Sequence, residues 1–339
     1  MSVLISHGSA LERLRAVPPA NDMSTIPEGD ISARELGRSG SRGHRFDPHA
    51  FGVRNRPVHI SVGIHAGCSI SPSVVTHRLS MEGIPASLLR KLDEGVYLTG
   101  PELTFAMMAR RLSPVGLVAL GHELCGEYSH FAPLVSGYYE RGRLTTKEKI
   151  EQALGRVTGL GCMKRTRDLL RYVGEGSASP TETCSSCMLT LPSDMGGAGY
   201  IAGRLNYEVQ FDKTSQKVAG TKSARIDLAW PEQKVGIEYD SAEYHTSPAK
   251  DRRRREALLH EGWQIFTVDL DQLRDFGELK KTIELLADKV PRQRGWKQCT
   301  DQDMESLLQK VLKATRFGMG MHAALFPGFV EKGDVKMHL

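Results

Sequence analysis

The chain has 339 residues, 40% of them hydrophobic and 25% charged, with a formal net charge of +5. Its length points to two domains and its composition to a globular protein, which excludes disordered and collagen-like classes. No apolar run approaches the roughly 20 residues of a membrane helix. The N-terminus has no basic segment leading into an apolar one, and the six cysteines form no dense disulfide framework. A cytoplasmic protein with no membrane partner is expected, and the mild positive charge leans toward a polyanion.

In chain order, the pattern predicts a short apolar helix over 10–17 and a Gly/Ser/Arg/Pro-rich loop over 20–50. Alternating residues then predict strands over 58–62, 73–79 and 95–99. Pro101 is placed to open a helix carrying Leu103, Ala106, Met107 and Leu112, and further helices are expected over 114–125, 146–156 and 163–173. His59 and His77 fall on two of the strands and read as structural, inward-facing polar residues.

Gly174-Glu-Gly-Ser-Ala-Ser179 is the best boundary in the chain. It makes 1–175 a mixed α/β N-terminal domain for target binding, regulation or a partner interface, a second copy included. Beyond it the pattern predicts helix 180–191, a Gly-rich loop 196–203, strand 207–212, hairpin 224–240, basic helix 249–261, strand 263–268 and closing helix 276–289. These form a second domain over 176–290. Residues 290–300 read as a polar linker and 304–315 as a separate amphipathic helix, so 291–339 is a linker and helical tail. Cys184 and Cys187 have no matching Cys or His pair and read as buried small residues. Met195-Gly-Gly-Ala-Gly199 lacks the Lys-Ser or Lys-Thr ending of a phosphate loop.

The hairpin carries the chemistry. With a turn at Glu232-Gln233, Ile226, Leu228 and Trp230 are expected on one face and Asp227 on the other. On the returning strand Val235, Ile237 and Tyr239 share a face, leaving Glu238 and Asp240 opposite. Asp227 then stands directly across from Glu238. Like charges facing each other across strands destabilise the pair, and a hard divalent cation such as magnesium is the usual remedy. A solvated strand face is the plainer reading of any single acid here.

Two helices add to this. Ser179, Pro180 and Glu182 form a capping box, which explains Glu182 without chemistry but does not bar it from a site. In the basic helix Asp251, Arg254 and Leu258 share one face, with Leu258 on the sheet and Asp251 and Arg254 able to pair. Lys250, Arg252, Arg253 and Arg255 are left outward, either solvated or holding phosphates.

Taken together, Ser179-Pro-Thr-Glu182, the Asp227 strand, Val235-Gly-Ile-Glu-Tyr-Asp240, His245, Asp251 with Arg254 and Leu258, and Gly262-Trp263 resemble a known family. Segment 179–274 resembles the PD-(D/E)XK nuclease superfamily, in its very-short-patch-repair-like branch of bacterial endonuclease-domain proteins. The resemblance implies an α/β fold with a restriction-endonuclease-like core of helix, three strands, helix and strand. It implies that Asp227 and Glu238 hold Mg2+ (or Mn2+) for hydrolysis of DNA phosphodiester bonds, with Asp240, His245 and Glu182 as further catalytic members. The upstream half resembles, more loosely, regulators of abortive-infection toxin–antitoxin pairs. Three positions depart from the family: Asp240 replaces a lysine, Ser241 a frequent glycine and Ser186 a frequent arginine. Lys222 or Lys250 would have to supply the missing charge. The departures support a competing expectation, an inactive nuclease fold serving as a DNA-binding regulator or antitoxin-like protein.

Overall fold

The computed structural model describes residues 2–15, 47–65, 70–130, 137–240, 248–269, 272–273 and 275–315. It opens with β1 (Val3–Ile5) and α1 (His7–Arg15), followed by β2 (Val58–Gly63), β3 (Val74–Leu79), β4 (Leu89–Asp93) and β5 (Val96–Thr99). These strands form one sheet in the order β3-β2-β1-β5-β4, with β1 parallel to β5 and antiparallel to β2. Strands β2, β3 and β5 match expectation. β1 and β4 do not appear in the sequence reading: β1 is three buried residues, too short for an alternating pattern to emerge.

Helices α2 (Pro101–Met108), α3 (Pro114–Leu124), α4 (Lys147–Arg156) and α5 (Met163–Leu170) follow, with a two-stranded ribbon of β6 (Tyr128–His130) and β7 (Tyr138–Glu140) after α3. Proline stands in the first turn of α2 and α3, where its missing N–H costs nothing. Thr146 caps α4 by accepting from the Lys149 N–H.

The next stretch runs α6 (Pro180–Thr190), β8 (Arg204–Gln210), α7 (Lys213–Ala219), β9 (Ser223–Trp230), β10 (Val235–Asp240), α8 (Pro248–His260), β11 (Gln264–Asp269) and α9 (Phe276–Leu285). Only α7 is additional to the expected order. The strands form a mixed sheet, β11-β10-β9-β8, with β10 parallel to β11 and the other pairs antiparallel. Leu228, Trp230, Val235, Ile237 and Val268 pack with residues of α6 and α9 on one side. Ala224, Ile226, Val209 and Phe211 pack with Ala257 and Leu258 of α8 on the other. Cys184 and Cys187 are free and fully buried in the first of these layers, as expected.

The largest core crosses residue 175 without a break: Phe105, Leu117 and Leu124 share it with Leu189, Leu228 and Leu308. The last described helix, α10 (Asp301–Thr315), is expected from the sequence as a separate element. It instead packs against α3 and α6, burying Leu307, Leu308, Val311 and Leu312. An apolar helical stripe needs cover, and these two helices provide it. The expected linker over 290–300 is likewise docked. Ile201 N–H donates to the Pro291 carbonyl at 3.0 Å, Gln293 N–H to the Gly199 carbonyl at 2.7 Å, and the Arg292 guanidinium lies 3.7 Å from the Tyr200 ring centroid. The Gly-rich loop serves this docking, since a Cβ on Gly199 would collide with the Trp296 ring. No helix among the described residues is long and apolar enough to cross a membrane.

Candidate active site at a kink in the mixed sheet

β9 and β10 pair in the expected register, Trp230 with Val235, Ala229 with Gly236 and Leu228 with Ile237. One step further the ladder ends. There Asp227 turns its carboxylate onto the returning strand, and Oδ2 accepts the Tyr239 N–H at 2.8 Å. The neighbouring strand is disturbed at the same level. Its ladder with β9 passes from Leu205–Leu228 to Tyr207–Ile226, skipping Asn206, which has φ 49°. A left-handed residue inside a strand rotates the side chains that flank it. Leu205 and Leu228 accordingly join the core under α6, while Tyr207 and Ile226 pack under α8. The expectation that Ile226 shares a face with Leu228 and Trp230 is therefore corrected. The kink reverses the alternation between Ile226 and Leu228, with Asp227 at the pivot.

Glu182 reaches this pivot from α6. It is a capping-box residue: its N–H donates to Ser179 Oγ at 3.1 Å, and its carboxylate accepts from Ala178 N–H at 2.7 Å. It also accepts from Asn206 Nδ2 at 2.6 Å, and the same amide donates to the Gly176 carbonyl at 2.7 Å. Burial pushes the Glu182 pKa up and the Asp227 charge pushes it further, more than its hydrogen bonds offset. Asp227 is raised too, by burial first and then by Glu238, against the pull of Tyr239 N–H, Arg254 and Arg225. The capping role and membership of the acid cluster coexist in Glu182.

Glu238 projects to the α8 side. Arg254 Nη1 donates to its Oε2 at 2.8 Å, and Nη2 lies 2.6 Å from Oε1. The Nη2 contact is close but poorly directed, so Oε1 accepts no hydrogen bond among the described residues. Arg254 also donates to the Arg225 carbonyl. Burial pulls the guanidinium pKa down, but the Glu238 hydrogen bond and the charges of Glu238, Asp227 and Asp251 leave it raised. The sequence left Asp251 and Arg254 able to pair; the side-chain hydrogen bond of Arg254 goes to Glu238, and the Asp251 charge also acts on it.

Glu182 from α6 thus feels Asp227 on β9, and Asp227 feels Glu238 on β10, with the half-buried Arg254 guanidinium beside Glu238. Carboxylate oxygen is the donor that magnesium or manganese takes, so Asp227 and Glu238, with Glu182 beside them, are the residues that would hold such an ion, which would share Glu238 with Arg254. The one group of three potential ligands lying within 4.8 Å of one another among the described residues is elsewhere: Asp212, His260 and Glu261. There Asp212 caps α7 through Ser215 N–H, and Glu261 accepts Asp212 N–H, so both acids have ordinary structural roles.

Lys250, Arg252, Arg253 and Arg255 are exposed on α8, as expected, and Arg252 lies 3.7 Å from Glu256. Leu258 is buried on the sheet. Asp240 closes β10, pairing in register with Asp269, but its side chain lies outside the described residues, as do His245 and Ser241. Ser186 is buried and meets His122 Nε2 at 3.3 Å, so a small hydroxyl suits the tight seam between α3 and α6. The upstream half also reaches the site: Glu127 lies 3.7 Å from Arg225 on β9. The sequence reading missed Asn206 as a site residue. Its one available signal was an asparagine within a strand pattern, a residue type that tolerates left-handed backbone.

No family model matches the chain, and no solved structure matches it. Two curated proteins of Mycobacterium tuberculosis strains, Uncharacterized protein MT2308 and Uncharacterized protein Rv2248, are each 36% identical to it over 58 residues. That stretch is 16% of this chain and 21% of each relative, so the chain is similar to about a fifth of their length.

Proposed function

We propose that this protein hydrolyses DNA phosphodiester bonds with a divalent ion, magnesium or manganese, held by Asp227 and Glu238. The observation that carries this reading is the placement of three half-buried carboxylates at one kink, Glu182 held by Asn206, Asp227 by Tyr239 N–H and Glu238 by Arg254. Glu182 and Asp227 are raised first by burial and then by a neighbouring acid. An ion bound there supplies an activated water and offsets charge on the phosphate. The chain's own groups do the rest. Tyr239 N–H fixes Asp227, and Asn206 fixes Glu182. Glu182, with its raised pKa, is suited to hold a proton near neutrality and release it to a leaving oxygen. Arg254 places a guanidinium beside the acids, the side chain best shaped to grip phosphate oxygens. Asp240 and His245 follow in the chain as further polar members, and Lys250, Arg252, Arg253 and Arg255 offer exposed charge for the DNA backbone.

The test is nicking of supercoiled plasmid by purified protein in magnesium or manganese. Wild type is expected to nick, and Asp227→Ala to lose at least about 100-fold, or about 2.7 kcal/mol of barrier. Equal activity in both would trace the nicking to a contaminant.

A second reading is favoured by the Arg254–Glu238 ion pair, which already neutralises one proposed ligand without any metal. In it the fold is an inactive nuclease that binds DNA as a regulator or antitoxin-like protein. DNA affinity would then survive Asp227→Ala, fall when Arg252, Arg253 and Arg255 are changed together, and weaken with salt.

A further inference from the structure

The upstream half meets the acid cluster through charged side chains that the reading above does not use. Glu127 lies between α3 and β6, and Arg143 follows β7. Both lie on the segment that joins the halves. Glu127 N–H donates to the Ser177 carbonyl at 2.6 Å, and the Arg143 guanidinium rests against Gly176, where a Cβ would stand 3.0 Å from its Nη2. The Gly176 carbonyl is the one that takes the Asn206 amide fixing Glu182. Arg225 approaches from the other half. It stands two residues before Asp227 on β9, and its carbonyl accepts from Arg254, the partner of Glu238. The Glu127 carboxylate sits between the two arginines. Arg143 Nη2 donates to its Oε1 at 3.1 Å, and Arg225 Nη1 lies 3.7 Å from its Oε2.

We propose that Arg143 and Arg225 form a fork that grips a backbone phosphate of DNA beside the acid cluster, with Glu127 holding the phosphate's place in the free protein. Charge and exposure support this. Two guanidiniums share one carboxylate, which leaves a positive charge over. The side chains of Arg225, Arg143 and Glu127 are 57%, 44% and 31% exposed, so the fork opens to solvent. Among the described residues Arg225 gives its side-chain N–H groups to no protein acceptor, and Glu127 is the one acid within ion-pair distance of either arginine. Arg143 spends a single N–H on Glu127 and keeps the others. Exposed ion pairs of this kind are weak, so the carboxylate is readily exchanged. A phosphate suits the same donors and presents more oxygens for two guanidiniums to share. Because the arginines come from opposite halves of the chain, a phosphate between them lays the DNA strand along the seam, next to Asp227 and Glu182. The proposal rests on the DNA reading above but not on hydrolysis.

Fluorescence anisotropy of a short labelled DNA duplex with the full-length protein in EDTA tests the fork, with thermal unfolding as the check that each variant is folded. Arg143→Gln and Arg225→Gln are each expected to weaken binding about tenfold and to lower the salt slope by about one. Glu127→Gln removes the competing carboxylate and is expected to tighten binding about threefold. A bridge that served structure alone would move stability and leave affinity unchanged. Glu94→Gln makes the same change of charge in the exposed turn between β4 and β5, and should leave affinity within about twofold. No DNA binding by wild type, wild-type affinity in either arginine variant, unchanged or weaker binding by Glu127→Gln, or equal tightening by Glu94→Gln would each overturn the proposal. The two readings fail separately. The expected binding changes without any nicking in magnesium or manganese would keep the fork and remove the nuclease. Full nicking and unaltered affinity in both arginine variants would keep the nuclease and remove the fork.

Discussion

Asn206 holds the acid cluster together from a backbone conformation that most residues avoid. Its left-handed φ reverses the two strands at the level of Asp227, and its amide joins Glu182 to the Gly176 carbonyl. Asn206→Ala removes both hydrogen bonds and puts a Cβ without a local polar partner in a strained region. A loss of about 1–3 kcal/mol is expected in urea denaturation. Asn206→Gly keeps the backbone relaxed and should cost less, so the difference between the two variants reads the strain net of the extra entropy glycine loses on folding. Should both variants match wild type, the kink would be held by the packing of Leu205 and Leu228 instead. At this scale the register of the hairpin was legible from its short turn, but its ladder stops at Leu228–Ile237, and two-residue alternation did not foresee the reversal at Asp227. The Arg254–Glu238 pair was not legible, because the two residues lie 16 apart on a strand and the helix that follows it, where neither period relates them.

Helix α10 shows the same limit for a whole element. Its amphipathic stripe is plain in the sequence, and its existence and extent follow from helical spacing. Its partners do not, since a stripe says that something covers it and not what. In the structure that cover comes from α3 and α6, which belong to either side of the expected boundary at 175. Leu308→Ala is expected to destabilise by about 2–5 kcal/mol. Far-UV circular dichroism and tryptophan fluorescence should report the loss in one shared transition. A fall confined to fluorescence, whose reporters Trp230, Trp263 and Trp296 all lie in the second half, would show that the halves unfold separately.

Across the whole molecule, buried titratable groups pull stability in opposite directions with pH. His7, His59, His77 and His122 have pKa values lowered by burial in the folded state. The unfolded chain binds their protons first, so their contribution is complete above about 6.5 and is lost as pH falls toward 4. Glu182 and Asp227 are raised instead, so the folded state holds their protons longer, and their contribution is lost as pH rises through the raised values. Four groups outweigh two at acidic pH, so thermal stability is expected to climb from pH 4 to about 6.5. Above that only the acid effect remains, and stability should decline. Manganese bound at Asp227 and Glu238 would reverse the decline, with a thermal shift that grows with pH. A shift independent of pH, or equally large in Asp227→Ala, would place the metal elsewhere.

The sequence by itself determined most of the elements, the register of the acid hairpin and the capping box of α6, because these depend on neighbours a few residues apart. Only the tertiary structure decided that Glu182 and Asp227 share a pivot, that Arg254 pairs with Glu238, that His7, His59 and His77 stack on one another, and that the C-terminal helix closes a common core. Each of those needs groups beyond the reach of local periodicity, from 16 residues apart for Arg254 and Glu238 upward, to arrive at one point. Local periodicity carries no information about such meetings.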